Sequence, residues 1–188
     1  MGWLDTFRKD FRQDYIGKIL KHSAEGADAI RRLAEDKSLE QEKQGLSHIE
    51  WFKVFFEFTY FYLHLTDRFA FGHMDEERRG SLMTGLEEIC ITFAVDVVCE
   101  GWPEDMKEKI KEESMGNFYI SMEEYSKYKK WFPEKDEGAK DTLFWEFGKT
   151  IAKLAGREND IIYIIACPEI VTNSLKDLDI RSFIEKGK

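Results

Sequence analysis

With 188 residues, 43% of them apolar, the chain is long enough for one domain spanning 1–188 around a proper hydrophobic core. Its formal net charge of −9 has the wrong sign for exchanging counterions with phosphates, so no nucleic-acid partner is expected. The basic clusters at Arg31-Arg32, Arg78-Arg79 and Lys127/Lys129/Lys130 are each surrounded by acids and read as solvated helix faces.

The dominant period is helical from the start. Trp3, Leu4, Phe7 and Phe11 fall on one side of a short opening helix, with Arg8, Lys9 and Arg12 opposite. Asp14 is placed to cap a second helix, whose stripe is Ile16, Leu20, Ser23, Ala27, Ile30 and Ala34. The middle of that stripe is small (Ser23, Ala24, Gly26, Ala27), which allows a neighbouring helix to approach closely. Ser38 to Gln41 offers a capping box for a short turn ended by Gly45. A better box follows at Ser47 and Glu50, with Leu46 and Trp51 as a hydrophobic staple.

That box opens the central helix, expected over about 48–71 and roughly 36 Å long, with Gly72 just beyond it. It is the most aromatic stretch of the chain. It also carries Lys53, Glu57, His64, Asp67 and Arg68, a density of ionisable groups too costly for a bilayer core, so it is read as the buried helix of a soluble bundle.

Asp75, Glu76 and Glu77 mark the next helix start, where the dipole favours negative charge. Its expected core stripe is Leu82, Leu86, Ile89, Phe93 and Val97, closed by Gly101. Pro103 suits the first turn of a further helix. Ser114 to Ile120 reads as a loop, and Ser121 to Glu124 as a third capping box opening a short helix that ends before Pro133. Pro133 to Gly138 reads as an exposed loop. Leu143, Phe144, Phe147, Ile151 and Leu154 form another amphipathic stripe, closed by Gly156. The run from Ile161 to Ile165 suits a strand by propensity. No comparable strand is available to pair with it, and Asn159 or Asp160 supplies a cap, so it is assigned to a buried helix disturbed near Pro168. A last helix is expected from about Asp177 to Glu185. The sum is an all-α bundle of about six to seven helices around the central one.

Three cysteines, Cys90, Cys99 and Cys167, lack a C-x-x-C pair and have apolar neighbours. They read as buried free thiols in a reducing compartment, which points to the cytoplasm. No Walker, G-x-G-x-x-G or G-x-S-x-G motif is present, and no cofactor is expected. Paired His-x-x-x-His and the Glu-x-x-His pairs of di-iron bundles are also absent. His64 and Asp67 can meet at i,i+3, with Glu87, Glu88 or Asp96 as further ligands, but a metal site is not expected. His22 and His48 read as exposed positions and His73 as a turn residue.

The candidate ligand-binding residues lie on the central helix. Lys53, Glu57, Tyr60, His64 and Asp67 step by four, three, four and three and so share one stripe. Three readings compete: the solvent side of the helix, a buried network fixing helix register, or the lining of a pocket. The first is favoured, because polar stripes are usually solvated. The leading functional reading is a non-enzymatic binding protein whose partner is itself, another protein or a small apolar molecule. Five Trp, fifteen Phe and seven Tyr are more than a bundle this size easily buries, and surface aromatics favour interfaces. A homodimer is expected. The alternative is an enzyme or ligand sensor using Glu57, Tyr60, His64 and Asp67. Membrane contact through the Trp3/Phe7/Phe11 helix is not expected, given the acidic net charge.

Overall fold

The fold is organised by its central helix. The Ser47 hydroxyl accepts the Glu50 amide at 3.2 Å, the Glu50 carboxylate accepts the Ser47 amide at 2.8 Å, and helix begins at His48. In the computed structural model the described residues are 3–35, 46–134 and 139–187, with side chains from residue 11 onward. They form seven helices and no strand: α1 (Trp3–Glu35), α2 (His48–Phe71), α3 (Glu76–Val98), α4 (Glu104–Ser126), α5 (Leu143–Leu154), α6 (Ile161–Leu178) and α7 (Ile180–Gly187). None of them is long and apolar enough to cross a membrane.

From Val54 to Thr66 every residue of α2 is buried, because α1, α3, α4, α5 and α7 all pack against it. A helix apolar on all sides has no wet face to offer, so it takes the centre of the bundle. The small row of α1 receives it. A Cβ on Gly26 would lie 2.9 Å from the Phe58 ring, and the Thr59 hydroxyl donates to Ser23 Oγ at 3.0 Å. Rings fill the adjoining side: Phe61 stacks on Phe147 at 3.9 Å and meets Tyr125 edge-on at 5.2 Å.

α5 and α6 make the closest helix contact, and a proline explains it. Pro168 lies inside α6 and has no N–H for the carbonyl of Ile164 one turn earlier. Gly148 of α5 packs against that carbonyl, so closely that a Cβ there would stand 2.4 Å from the oxygen. The helix therefore continues through Pro168 to Leu178 and breaks only at Asp179, which turns left-handed (φ 44°) into α7.

Several expectations are corrected. Asp14 caps nothing: the opening and second helices are one, because Phe11, Tyr15 and Ile19 continue a single inner stripe at spacings of four. Residues 114–120 are helical and Ser121 lies inside α4, since Ser114, Phe118 and Tyr125 all face inward. α3 is rotated from its expected face. Leu82, Leu86, Cys90 and Ala94 point inward, while Ile89, Phe93 (46% exposed) and Val97 point out. Apolar residues surround most of α3, and Ile91 and Val95 are buried beside Cys90 and Ala94. Phe55, Phe58, Leu65 and Phe147 are core. The Ile161 run is helical and capped by Asp160, yet only Tyr163 and Ile164 are buried while Ile161, Ile162 and Ile165 are exposed. His22 is buried, its ring nitrogens 2.9 Å from the Glu25 carboxylate and 2.8 Å from that of Asp177, on the α1–α6 seam. Cys90, Cys99 and Cys167 are buried free thiols. The Ser38–Gly45 turn and residues 135–138 of the expected loop lie outside the described residues, as do the side chains of Trp3, Leu4 and Phe7.

Candidate functional site

α4 crosses the first half of α2 and leaves a cleft of about 530 Å3 between them. Phe52, Phe56 and Tyr60 recur every fourth residue on α2 and form one wall as a row of rings, 4.9 and 5.9 Å apart between centroids. Ile110, Ser114, Asn117 and Ser121 of α4 line the other side. Ile49 and Ile120, each 67% exposed, and Trp102 stand at its mouth. The volume lies in the range of small-molecule pockets, and the walls are mostly apolar as such pockets are.

Glu57 is a buried carboxyl in the lining of the cleft. It is 8% exposed, yet it lines the opening. The Tyr125 hydroxyl donates to Oε1 at 2.5 Å and the Ser121 hydroxyl to Oε2 at 3.3 Å. Burial raises the Glu57 pKa above the ordinary carboxylate range, and these two donors pull against that rise. Tyr60 is held by donating to the Ser114 carbonyl at 2.8 Å, a bond that also pins α4 to α2.

The polar stripe of α2 is thus divided by its surroundings. Lys53 is exposed at the rim, while Glu57 and Tyr60 line the cleft. His64 is only 3% exposed and is not part of the lining. Its ring lies 5.5 Å from that of Tyr125, and neither ring nitrogen has a hydrogen-bond partner among the described residues. Burial, aided by the nearby Arg68 charge, lowers its pKa to about 4, so it is neutral at neutral pH. Asp67 does not reach His64; its carboxylate lies 3.6 Å from the Arg79 guanidinium. The solvated reading of the stripe therefore holds only for Lys53. Among the described residues no three His, Cys, Asp or Glu side chains gather as a metal site.

Ser121 and Tyr125 are the site residues missing from the sequence reading. Their signal was the spacing of Ser114, Phe118, Ser121 and Tyr125 by four, three and four, hidden once 114–120 was read as a loop. Chemically, the arrangement is an aromatic slot with one carboxyl near its floor. His64 stands outside it, so the slot has no acid–base pair of Glu57 and His64. Compared with known proteins, the chain matches no family model, no curated protein sequence and no solved structure.

Proposed function

We propose that the chain is a non-enzymatic binding protein that takes a small, largely apolar molecule in the α2–α4 cleft, with Glu57 as its polar anchor. The observation that carries this reading is a buried carboxyl exposed only through an aromatic-walled opening. An acid in an apolar wall is costly unless hydrogen-bonded, and the two hydroxyl donors of Glu57 leave acceptor positions that a molecule in the cleft can reach. The placement of His64 outside the cleft favours binding over the enzyme alternative. The reading suits a soluble chain in a reducing compartment, the cytoplasm, where the three buried thiols stay reduced. Titration with Nile red, a neutral solvatochromic dye, tests it. Saturable fluorescence enhancement is expected, with at least about a tenfold loss of affinity in Asn117→Trp, which fills the cleft from an exposed position. No saturable binding, or binding indifferent to that substitution, overturns it.

Self-association remains a second reading, favoured by the outward row of Ile89, Phe93 and Val97 on α3. The small residues of α1 offer no dimer seam, being occupied by α2. Sedimentation velocity should show a dimer that Phe93→Glu dissociates; a wild-type monomer at high concentration removes the reading.

A further inference from the structure

We propose that the cleft selects an organic cation: an amine whose ammonium sits at Glu57 and whose apolar body lies along Phe52 and Phe56. The assignment rests on the cleft being a binding site, and it adds the chemistry of the ligand's head group.

The first argument is hydrogen-bond capacity. A carboxylate has about four acceptor positions, and Glu57 uses one on each oxygen, for Tyr125 and Ser121. The hydroxyls beside it are already donating: Tyr125 and Ser121 to Glu57 itself, Tyr60 to the Ser114 carbonyl. What remains near the floor is acceptor capacity, which a ligand meets by donating. An ammonium brings three N–H donors on one point.

The second argument is charge. No cation lies within ion-pair distance of Glu57 among the described residues, although Lys53 precedes it by one turn on the same helix. Lys53 is exposed at the rim, and Glu57 and Glu113 both line the cleft. The lining therefore brings two carboxyl groups against one lysine, in a chain already at −9. An anionic ligand meets repulsion at the floor. A neutral one removes water from the carboxylate and returns no compensating charge.

The third argument is the wall. Aromatic faces attract cations through their quadrupole, and Phe52, Phe56, Tyr60 and Trp102 all line the opening. The same row that buries an apolar body also favours a positive head over a negative one.

A pH dependence follows from these groups. Those facing the ligand's head are Glu57, Tyr60 and Lys53 on α2 and Tyr125, Ser121 and Glu113 on α4, with His48 at the N-terminal end of the cleft. Affinity for an amine rises with pH as Glu57, its pKa raised by burial, loses its proton, then levels off.

The test uses three ligands of one length, n-octylamine, n-octanol and n-octanoate, titrated calorimetrically into the full chain near neutral pH. Octylammonium is expected to bind at least about tenfold tighter than octanol, with octanoate weakest. Glu57→Gln should cut the amine-over-alcohol ratio to about twofold or less. Ile120→Lys, a change at an exposed rim position that leaves the core untouched, should lower the same amine-over-alcohol ratio even if the Glu57 variant folds poorly. Octanol or octanoate binding as tightly as the amine, or an amine preference that survives both substitutions, overturns the cation assignment alone. Binding of none of the three overturns the cleft reading and the cation assignment with it.

Discussion

Replacing His64 by Phe should leave the protein as stable at neutral pH and make it less sensitive to acid. His64 is buried with two unpartnered ring nitrogens, so the substitution removes polar atoms that gain nothing from the fold. The ring's pKa falls from 6.5 in the unfolded chain to about 4 in the folded one, chiefly through burial and secondarily through Arg68. Between these values the unfolded state holds more protons than the native state. The stability due to neutral His64 is therefore complete above the unfolded pKa and is lost as pH falls through the folded pKa. A displacement of this size corresponds to about 3 kcal/mol. Glu57 acts in the opposite sense: its raised folded pKa makes the native state hold more protons, so its contribution to stability improves as pH falls through that raised value. The wild-type curve sums these with the other shifted carboxyls, Asp67 and Glu87 raised and Glu50 lowered among them, so only its difference from the variant isolates His64. Urea unfolding followed by far-ultraviolet circular dichroism, from about pH 7 to about pH 4, gives that difference. Near neutrality the variant should lie within about 1 kcal/mol of wild type or above it. On acidification the difference should move in its favour by about 3 kcal/mol. His64→Leu, with a smaller side chain, guards against overpacking by the phenyl ring. A pH-independent difference, or a loss of about 2 kcal/mol or more in both variants at neutral pH, would mean that His64 has a bonded partner and would refute the reasoning.

Gly148→Ala should be among the costliest small substitutions, because its Cβ would lie 2.4 Å from the Ile164 carbonyl oxygen, which belongs to backbone and not to a movable side chain. A loss of about 1–3 kcal/mol or more is expected, read as a fall in Tm, and an unchanged Tm would show that α5 and α6 are not in contact there. Ser47→Ala should cost about 1 kcal/mol in urea unfolding, whereas Ser121→Ala, in mid-helix, should lose no cap energy; equal losses would restore the loop before Ser121. Tyr125→Phe leaves Glu57 with one donor, so its carboxyl pKa should rise further and stability at neutral pH should fall by about 1–3 kcal/mol. Infrared difference spectra of the carboxyl stretch follow that titration, and an unmoved titration would show that Tyr125 does not hold Glu57.

The helices with contiguous signals were legible without a structure. Ser47, Glu50 and Gly72 delimit α2 because capping and termination are made by residues close in sequence, and an all-round apolar surface leaves such a helix only the centre of a bundle. The small row of α1 announced a close neighbour for the same reason, since Gly26 admits the Phe58 ring wherever that ring originates. What tertiary structure decided were the choices between local equals. Ser121 and Glu124 spell the same box as Ser47 and Glu50. The first is interior because Ser114 and Phe118, upstream of it, face inward against α2. α3 is apolar on two faces, so its own pattern does not choose between them, and packing against α1, α2 and α4 buried Cys90, Ile91, Ala94 and Val95 and left Ile89 and Phe93 outside. The α2 stripe has one period and one chemistry along its length, yet Glu57 opens to a cleft, His64 is sealed beside Tyr125 and Asp67 pairs with Arg79. A cleft exists only where two helices separate, and that separation is a property of the pair, written in neither segment alone.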